Sequence, residues 1–394
     1  MKYSFDEITD RSGTHSIKYD IIPEDQRKEM LSLWVADMDF SCAEPILSAL
    51  QERTGRRIFG YTSYDNPENK AAVTGWFHRR HHWDIPAEDI FFSHGVVAAF
   101  SVLINILSTP GDGIVIQPPV YYPFRSKIEA NGRKAVNNPL LLKGGHYEID
   151  FEDLDLKMSD PHNKGLLFCS PHNPIGRLWT EEELKRIAAV CRRYDKWIIA
   201  DEIHCDLLRI GAEHHPMLKV CSDYADRIIA CTAPTKTFNM AGLGISNIII
   251  PNKEYQSLWR HFACERLSLE DCSPLSLAAQ EAAYNHCEDW LDALRIYLDG
   301  NIDFTEQYLK ETLPKARMIH PDATYLVWID FRAYCSDPAA LEQLMRRKAR
   351  VMLDEGYIFG EGGEGFERIN IATPRSILSE CLARIASALN GNNC

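Results

Sequence analysis

The chain has 394 residues, of which 45% are hydrophobic and 25% are charged, and its formal net charge at pH 7 is −13. This composition is typical of a folded globular protein and excludes disordered and fibrous chains. Acidic residues are spread along the whole chain, so no broad basic surface predicts binding to nucleic acid or to an anionic membrane. We interpret the short basic run at residues 78–82 as the solvated face of a helix.

The N-terminal residues and the cysteines indicate where the protein works. Residues 1–10 are polar and acidic, without the apolar stretch of a secretory signal, and no run in the chain approaches the roughly 18 apolar residues of a membrane span. The 12 cysteines are scattered without a CxxC pair, and a chain this long needs no disulfide framework. We therefore expect a cytoplasmic protein with reduced thiols and no zinc site.

The predicted elements begin with an isolated apolar segment at residues 31–40, which we expect to pack on a small C-terminal domain. From about residue 90 to residue 250, short apolar runs alternate with helical periodicity. This pattern is typical of an α/β fold with a mostly parallel central sheet and flanking helices. The predicted strands are residues 113–117, 165–170, 197–200, 227–231 and 245–250.

A helix is predicted at residues 180–195, between two of these strands. Thr180 and Glu183 have the spacing of a capping box, in which the two side chains each accept a backbone N–H at the start of a helix. Leu184, Ile187 and other apolar residues then recur along one face. Each predicted strand ends in polar residues, and that edge is where an α/β sheet collects its ligands.

After about residue 289 the pattern changes to longer charged helices around one predicted strand, 324–330, with a glycine cluster at residues 356–365. These features predict a smaller α+β domain. The expected domains are residues 41–288 for the large one and residues 1–40 together with 289–394 for the small one.

Polar residues cluster at the predicted strand ends and helix starts. Taken singly they have ordinary explanations, since Asp201 could cap a turn and Lys236 could be one of many solvated lysines. Together they place an amine, a carboxylate, an amide and helix-start N–H groups along one sheet edge. The clusters are residues 93–97, 170–174, 201–204 and 232–236.

This set of groups is the one that pyridoxal 5'-phosphate (PLP) needs. A lysine binds the aldehyde carbon of the cofactor, an aspartate keeps the pyridine nitrogen protonated, and a donor tunes the phenolic oxygen. Backbone N–H groups of Gly95, Val96 and Val97, ahead of a predicted apolar helix at residues 98–107, would receive the phosphate. The residues thus predict a PLP enzyme that holds its cofactor on Lys236.

Motifs along nearly the whole chain carry a family resemblance. They are WVADMDF (34–40), FGYT (59–62), PPVYYPF (118–124), CSPHNPIGR (169–177), DEIHCD (201–206), APTKTFNMAG (233–242) and FERINIA (366–372). Through them the chain resembles the fold-type I PLP-dependent enzymes of the class I/II aminotransferase superfamily. Within that superfamily it is similar to the bacterial cystathionine β-lyase or cysteine-S-conjugate β-lyase branch, which implies the PLP-dependent transferase fold.

The resemblance implies roles for the residues around the cofactor ring. Lys236 would carry PLP and remove the α proton of the substrate, and Asp201 would pair with the pyridine nitrogen. Asn173 would bond the phenolic oxygen, and His204 stands where many aminotransferases have a tyrosine for the same purpose. Tyr121 would stack on the ring, although the adjacent tyrosine leaves the register open.

The resemblance also implies contacts to the phosphate and to the substrate. Val96, Val97 and a threonine near the lysine, Thr235 or Thr232, would bind the phosphate. Tyr61 would reach the phosphate of the neighbouring subunit. Arg368 would bind the α-carboxylate of the substrate bidentately, and Trp34 and Tyr122 are the further candidates for substrate contacts.

The chain departs from the wider superfamily at two positions. Gly244 stands eight residues after the lysine, where aspartate-type aminotransferases place a phosphate-binding arginine, and Ala233 replaces a serine. Both differences are shared by the lyase branch, so they weigh against an aspartate aminotransferase more than against PLP binding.

Two further patterns are interpreted as structural. Residues 360–365 match GxGxxG, but they open no predicted helix and carry two carboxylates that would repel a pyrophosphate. We interpret them as a flexible turn that lets Arg368 approach the substrate. His214 and His215 have no partners at metal-ligand spacing and are interpreted as a loop pair.

The leading functional hypothesis is α,β-elimination by a PLP-dependent C–S β-lyase. Cystathionine or a related L-cysteine S-conjugate would give a thiol, pyruvate and ammonia. One alternative is a class I/II aminotransferase acting on a small amino acid, and another is a PLP-fold regulatory binding protein with residual lyase activity. Because Tyr61 lies far from the sheet-edge clusters in the chain, we expect a homodimer with composite sites.

Overall fold

The computed structural model describes residues 3–27 and 29–391. In chain order its strands are β1 (Leu31–Ser32), β2 (Thr62–Ser63), β3 (Ile90–Ser93), β4 (Gly113–Ile116), β5 (Lys134–Asn137), β6 (Leu141–Lys143), β7 (His146–Glu148), β8 (Asn163–Cys169), β9 (Trp197–Asp201), β10 (Ile228–Thr232), β11 (Ser246–Ile249), β12 (Asp271–Cys272), β13 (Arg317–Ile319), β14 (Leu326–Asp330), β15 (Val351–Met352), β16 (Asp354–Glu355) and β17 (Phe366–Asn370).

The α-helices surround these strands. They are α1 (Ile17–Asp20), α2 (Glu24–Arg27), α3 (Glu44–Gly55), α4 (Pro67–His81), α5 (Val96–Leu107), α6 (Pro123–Ala130), α7 (Phe151–Ser159), α8 (Glu181–Arg193), α9 (Met217–Val220), α10 (Pro234–Thr237), α11 (Lys253–Trp259), α12 (Pro274–His286), α13 (Glu288–Thr312), α14 (Pro338–Gln343) and α15 (Arg375–Asn390).

The central sheet has seven strands in the order β3-β11-β10-β9-β8-β4-β5. Strand β11 runs antiparallel to both of its neighbours, and the other neighbouring pairs are parallel. Every residue of β9 and β10 is buried, as expected for strands covered by helices on both faces. The predicted mostly parallel α/β sheet is therefore confirmed.

The predicted helix at residues 180–195 is α8. Thr180 accepts the N–H of Glu183, and the Glu183 side chain accepts the N–H of Thr180, so the capping box is present. Two strands of the sheet, β3 and β5, were not predicted from the sequence. Strand β5 lies at the sheet edge and its residues are exposed or half-buried, so it lacks the continuous apolar run of a central strand.

The C-terminal part of the chain builds a second, four-stranded sheet in the order β13-β14-β17-β16. All of its strand pairs are antiparallel. The strand predicted at residues 324–330 is β14. The N-terminal strand β1 pairs in parallel with β15, which brings the apolar segment at residues 31–40 against the C-terminal part of the chain.

The basic run at residues 78–82 forms the end of α4. Arg80 pairs with Glu288 and Asp292, as a helix surface residue does. His81 differs, because it is buried and its Nε2 lies 2.8 Å from Oδ1 of Asp206. The interpretation as a solvated face is therefore wrong for His81. Within residues 3–27 and 29–391, no helix has both the length and the apolar character needed to cross a membrane.

Candidate active site

The carboxyl ends of β8, β9 and β10 meet beside the start of α5 and border one cavity of about 170 Å³. Its lining includes most of the predicted cofactor residues, namely Val96, Val97, Tyr121, Asn173, Asp201, His204, Thr235 and Lys236. Lining residues that were not predicted as cofactor contacts are Ala36, Cys169, Ile203 and Ala241. Residues from distant parts of the chain therefore converge at the edge where the parallel strands end.

Lys236 lies on the short helix α10, directly after β10. Its Nζ donates a hydrogen bond to the carbonyl oxygen of Ala36 at 2.6 Å. Burial lowers the pKa of Lys236 to about 8. Because the neutral amine is the form that attacks a carbonyl carbon, this environment makes Lys236 more reactive than a solvated lysine.

Asp201 is the last residue of β9 and is almost fully buried. Its Oδ1 accepts the N–H of Ile203 at 3.2 Å. Burial raises the pKa of Asp201 to about 7, against the weaker opposing effects of this hydrogen bond and of Lys236. A buried carboxylate in this position is stabilised by a cationic N–H group such as a protonated pyridine nitrogen.

His204 follows Asp201 on the same sheet edge and is also buried. Burial lowers the pKa of His204 to about 3, so the ring is neutral near pH 7. Its Nδ1 is buried and has no hydrogen-bond partner within the described part of the chain. A polar atom left in this state beside a cavity fits a site that receives a polar ligand.

The start of α5 supplies N–H groups to the same cavity. The N-cap residue, Gly95, has no side chain to bond the first turn, so the N–H groups of Val96 and Val97 are free of any side-chain cap. The positive end of a helix dipole adds to their attraction for an anion. Of the two candidate threonines, Thr235 lines the cavity, whereas Thr232 Oγ1 donates to the Asn247 carbonyl at 3.3 Å.

Gly244, eight residues after the lysine, lies where the backbone favours glycine. Its φ is +58°, in the left-handed region that favours glycine. A Cβ at this position would lie 3.1 Å from the carbonyl oxygen of His94. A larger residue would therefore strain the backbone here and press on the carbonyl oxygen of His94.

Arg368 lies on β17 of the second sheet and is 3% exposed. Its Nη1 donates to Oδ1 of Asn173 at 2.8 Å, which connects it to the cavity. Its Nη2 donates to the Trp34 carbonyl at 3.1 Å and pairs with Asp354. Because Arg368 binds Oδ1 of Asn173, the amide Nδ2 is left as the donor for a cofactor oxygen.

The aromatic candidates separate into one residue in the cavity and two outside it. Tyr121 lines the cavity, whereas Tyr122 is 41% exposed and its ring lies 6.0 Å from that of Phe359. This arrangement favours Tyr121 over Tyr122 as the ring-stacking candidate. Trp34 is half-buried outside the cavity, where its Nε1 donates to the Lys18 carbonyl at 3.1 Å.

Tyr61 is the one predicted cofactor residue that does not line the cavity of this single chain. It is 96% exposed and follows two exposed apolar residues, Ile58 and Phe59. It also borders a surface groove of about 1280 Å³ that includes Phe91 and Trp259. A single subunit therefore does not bring Tyr61 to its own cofactor cavity.

Residues 34–40, here named the crossing segment, pass between the two sheets and were predicted only as a motif. Lys236 Nζ and the Tyr325 hydroxyl both donate to the carbonyl of Ala36. Asn370 Nδ2 donates to carbonyls on either side of Ala36, and Asn239 Nδ2 donates to two further along. The backbone of this segment is thereby hydrogen-bonded both to residues that follow β10 and to residues at the second sheet.

A buried hydrogen-bond network lies behind Lys236. Asp206 accepts hydrogen bonds from Trp76 Nε1 at 3.1 Å, His81 Nε2 at 2.8 Å and Thr237 Oγ1 at 2.8 Å. Burial alone would raise the pKa of Asp206, but the bonds from these donors outweigh it and lower the pKa. Since Thr237 follows Lys236 in α10, the network fixes the turn that presents the lysine.

The same network contains side chains of the types that bind metals. His81, Cys205 and Asp206 place one potential ligand atom each within 4.8 Å of one another. Both oxygens of Asp206 already accept hydrogen bonds, and burial raises the pKa of the Cys205 thiol well above its ordinary value. We therefore interpret these three side chains as part of a buried hydrogen-bonded cluster.

The two patterns interpreted as structural have that character. Residues 360–365 form a turn in which Gly360, Gly362 and Gly365 have positive φ, and strand β17 follows it instead of a helix. His214 lies in a loop, but it is buried and its Nε2 is 3.7 Å from Oε2 of Glu202.

The family of the chain follows from comparison with known proteins. Residues 28–385 match the family model Aminotransferase class I and II, and the chain therefore belongs to this family. The geometry agrees, since a lysine, a carboxylate and a helix start meet at one edge of a mostly parallel sheet.

Particular relatives extend this similarity over the full length. Cystathionine beta-lyase PatB from Bacillus subtilis (strain 168) is 43% identical, with 98% of this chain and 100% of that protein covered. Cystalysin from Treponema denticola, whose crystal structure contains a pyridoxal 5'-phosphate cofactor, has a TM-score of 0.95 at 39% identity, covering 99% of this chain and 100% of that one. The PLP-bound C-S lyase from Staphylococcus hominis has a TM-score of 0.92 at 36% identity, with 98% of each chain covered.

Proposed function

We infer that this protein is a PLP-dependent carbon–sulfur β-lyase. It converts cystathionine or a related L-cysteine S-conjugate, with one water, into a thiol, pyruvate and ammonia. The observation that carries this conclusion is the convergence of Lys236, Asp201 and Asn173 on one cavity, in a chain that matches relatives named as C–S lyases over its full length.

The chemistry of the cavity fits PLP. Lys236 supplies the amine that binds the aldehyde carbon, and its lowered pKa favours the neutral, reactive form. Asp201, whose burial raises its pKa, pairs with the protonated ring nitrogen. Asn173 Nδ2, whose Oδ1 accepts from Arg368, would donate to the phenolic oxygen, and the unpartnered Nδ1 of His204 would offer a further polar contact. Tyr121 stacks on the ring.

The phosphate end is bound by backbone and hydroxyl donors. The N–H groups of Val96 and Val97 at the start of α5 receive phosphate oxygens, and Thr235 adds its hydroxyl. Tyr61 reaches the phosphate of the neighbouring subunit.

Arg368 and Lys236 have separate roles in the proposed reaction. When bound, PLP supplies a ring that withdraws electrons and stabilises negative charge at the α carbon of the substrate. Arg368 holds the α-carboxylate, which orients the α C–H bond toward Lys236. Nζ of Lys236 removes the α proton, and loss of the thiolate from the β carbon follows.

A homodimer is the assembly that this site needs. The support is the 96% exposure of Tyr61 beside exposed Ile58 and Phe59, on a groove large enough to receive apolar side chains of a second copy. Sedimentation at assay concentrations tests this, since a fully active monomer would contradict composite sites. Trp34 and Tyr122 remain proposed substrate contacts.

The location and the domain division are also proposed. Ten of the eleven cysteines in the described part of the chain are free thiols, which supports a reducing compartment such as the cytoplasm. Cys335 is disulfide-bonded, so the expectation of reduced thiols is wrong for this residue. The separate sheets support a large domain at residues 41–288 and a small one from residues 1–40 and 289–394.

Product analysis with cystathionine tests the reaction class. The pure enzyme is incubated with the substrate, and pyruvate and pyridoxamine phosphate are measured together over time. Lyase chemistry predicts stoichiometric pyruvate and thiol. Pyridoxamine phosphate that accumulates without pyruvate would contradict the lyase and support an aminotransferase.

A further inference from the structure

Asp354 is a buried acid that the proposed reaction does not use. It lies on β16 directly opposite Arg368 on β17, and the two side chains are 4% and 3% exposed. Asp354 Oδ2 accepts a hydrogen bond from Nη2 of Arg368. The ring of Phe359 covers the guanidinium, with its centroid 4.9 Å from Cζ. Before substrate arrives, Asp354 is therefore the counter-ion of the arginine proposed to bind it.

The hydrogen bonds of Arg368 leave no bidentate edge free. A guanidinium binds a carboxylate with two parallel bonds either through Nε and Nη2 or through Nη1 and Nη2, so both edges use Nη2. In Arg368, Nη2 donates to Asp354 and to the carbonyl of Trp34, while Nε has no partner within the described residues. A substrate carboxylate that binds through Nε and Nη2 must therefore displace one of these acceptors.

The groups around Asp354 affect how stable its ionised form is once a second carboxylate binds Arg368. The titratable and charged groups that face it are Arg368, Arg346, Glu355, Glu367, Tyr121 and Tyr122. Arg346 is engaged by Glu355, with Nε 2.8 Å from Oε1. Arg368 is thus the close cation of Asp354. A carboxylate that loses this partner inside the protein is destabilised as an anion.

Burial has already shifted these acids toward their neutral forms. It raises the pKa of Asp354 despite the opposing effect of Arg368, and it raises the pKa of Glu367 well above its ordinary value. The same effect raises the pKa of Tyr121 and Tyr122, which remain neutral. A second anion placed on Arg368 would therefore bring two like charges together in a region that disfavours them.

We propose that Asp354 is a positioning residue that holds Arg368 until the substrate carboxylate arrives and then takes up a proton, so that carboxylate binding is coupled to proton uptake. The proton comes from solvent and stays on a carboxyl oxygen of Asp354 while the substrate occupies Nη2. This inference rests on the proposed role of Arg368 in the lyase.

Binding calorimetry on the PLP-loaded enzyme tests the coupling without turnover. The probe is 3-(methylthio)propionate, which has the carboxylate and the thioether of a substrate but no amino group. Titrations in two buffers with different ionisation enthalpies give the number of protons taken up. We expect uptake approaching about one proton per bound ligand above the pKa of Asp354, with affinity that falls by up to about tenfold per pH unit.

Asp354→Asn should abolish the uptake and bind the probe at least about tenfold more tightly at pH 8.5. Asp354→Ser is a second variant with the same expectation, should the amide disturb folding. Asp330→Asn is the matched control, because Asp330 lies on the same sheet in an ion pair with Arg332. This control should keep the uptake of the wild type.

The outcomes separate the coupling from the function on which it rests. Absence of proton uptake by the wild type, or uptake retained in Asp354→Asn, would overturn the role of Asp354. Arg368→Leu should abolish probe binding, and unchanged binding by that variant would overturn both the arginine assignment and the coupling. Pyruvate formation is measured separately, so a failed lyase assay does not alter the interpretation of proton uptake.

Discussion

Replacing Asp201 with asparagine should have opposite effects on the cofactor-free protein and on the loaded enzyme. In the cofactor-free protein Asp201 is buried, and its pKa is raised from 3.8 to about 7. The folded state therefore disfavours ionisation, so the carboxyl destabilises the fold progressively as pH rises from about 4 to about 7. The full effect is on the order of 4 kcal/mol, from 1.36 kcal/mol for each pKa unit.

The amide of the Asp201→Asn variant cannot ionise, so the variant escapes this destabilisation. The difference in unfolding free energy between Asp201→Asn and the wild type should grow in favour of the variant by about 2 kcal/mol between pH 5.5 and pH 8. Thermal unfolding of the cofactor-free proteins measures it, and the change in Tm difference should be about 2–4 °C.

Asp206→Asn is the matched control, because Asp206 is equally buried but its pKa is lowered. Its ionised form stabilises the fold, and that contribution is present above the unfolded pKa and lost as pH falls through the folded value. The control variant should therefore be destabilised throughout the range from pH 5.5 to pH 8. Equal Tm values for Asp201→Asn and the wild type at both pH values would refute the reasoning.

In the loaded enzyme the same substitution removes the partner of the ring nitrogen. Loss of a buried charge pair costs about 2–5 kcal/mol in transition-state stabilisation, or roughly 30- to 4,000-fold in kcat. Pyruvate release from cystathionine measures this. A kcat within a few-fold of the wild type would place the ring nitrogen away from Asp201.

Three further substitutions test other parts of the site. Lys236→Ala should lose covalent PLP and the visible absorption of the enzyme, and a link that borohydride still reduces in the variant would contradict the lysine assignment. Arg368→Leu should cost about 2–5 kcal/mol of transition-state stabilisation, measured as a fall in kcat/KM, while PLP stays bound. Arg375→Leu, which removes a hydrogen bond to Asn301, should change kcat/KM much less. Gly244→Arg should lower Tm and weaken PLP retention, because its φ of +58° strains any branched or long side chain, and a Tm equal to that of the wild type would oppose this.

The sequence was sufficient for five of the seven strands of the central sheet and for most of the cavity lining. Strands such as β9 and β10 are fully buried, so their apolar runs are continuous, and the polar residues that follow them mark the carboxyl edge. Asp201 and Lys236 could be placed at the cavity because their positions at or just after a strand end are local properties. The edge strand β5 was missed because half-exposed residues leave no such run.

Other features depend on contacts between distant parts of the chain. The pairing of Asp354 with Arg368 follows from the register of two short strands separated by a turn. His81 looked like one of several solvated basic residues, and its burial depends on Asp206, which is 125 positions away. Ala36 offers only its backbone to the site, and a carbonyl leaves no signal in residue type.

The crossing segment has a consequence for how this chain tolerates mutation. Its hydrogen bonds to the site are made by main-chain carbonyl oxygens, which every amino acid provides. The side chain of Val35 contributes nothing to them, whereas Asn239 and Asn370 supply the amide donors. The conformation of this piece of chain is thus encoded in donors at very different distances along the sequence. Arg11 and Lys18 lie nearby, whereas Asn239 and Asn370 lie about two hundred positions away or more. At a position such as Val35, the backbone is therefore more constrained than the choice of residue.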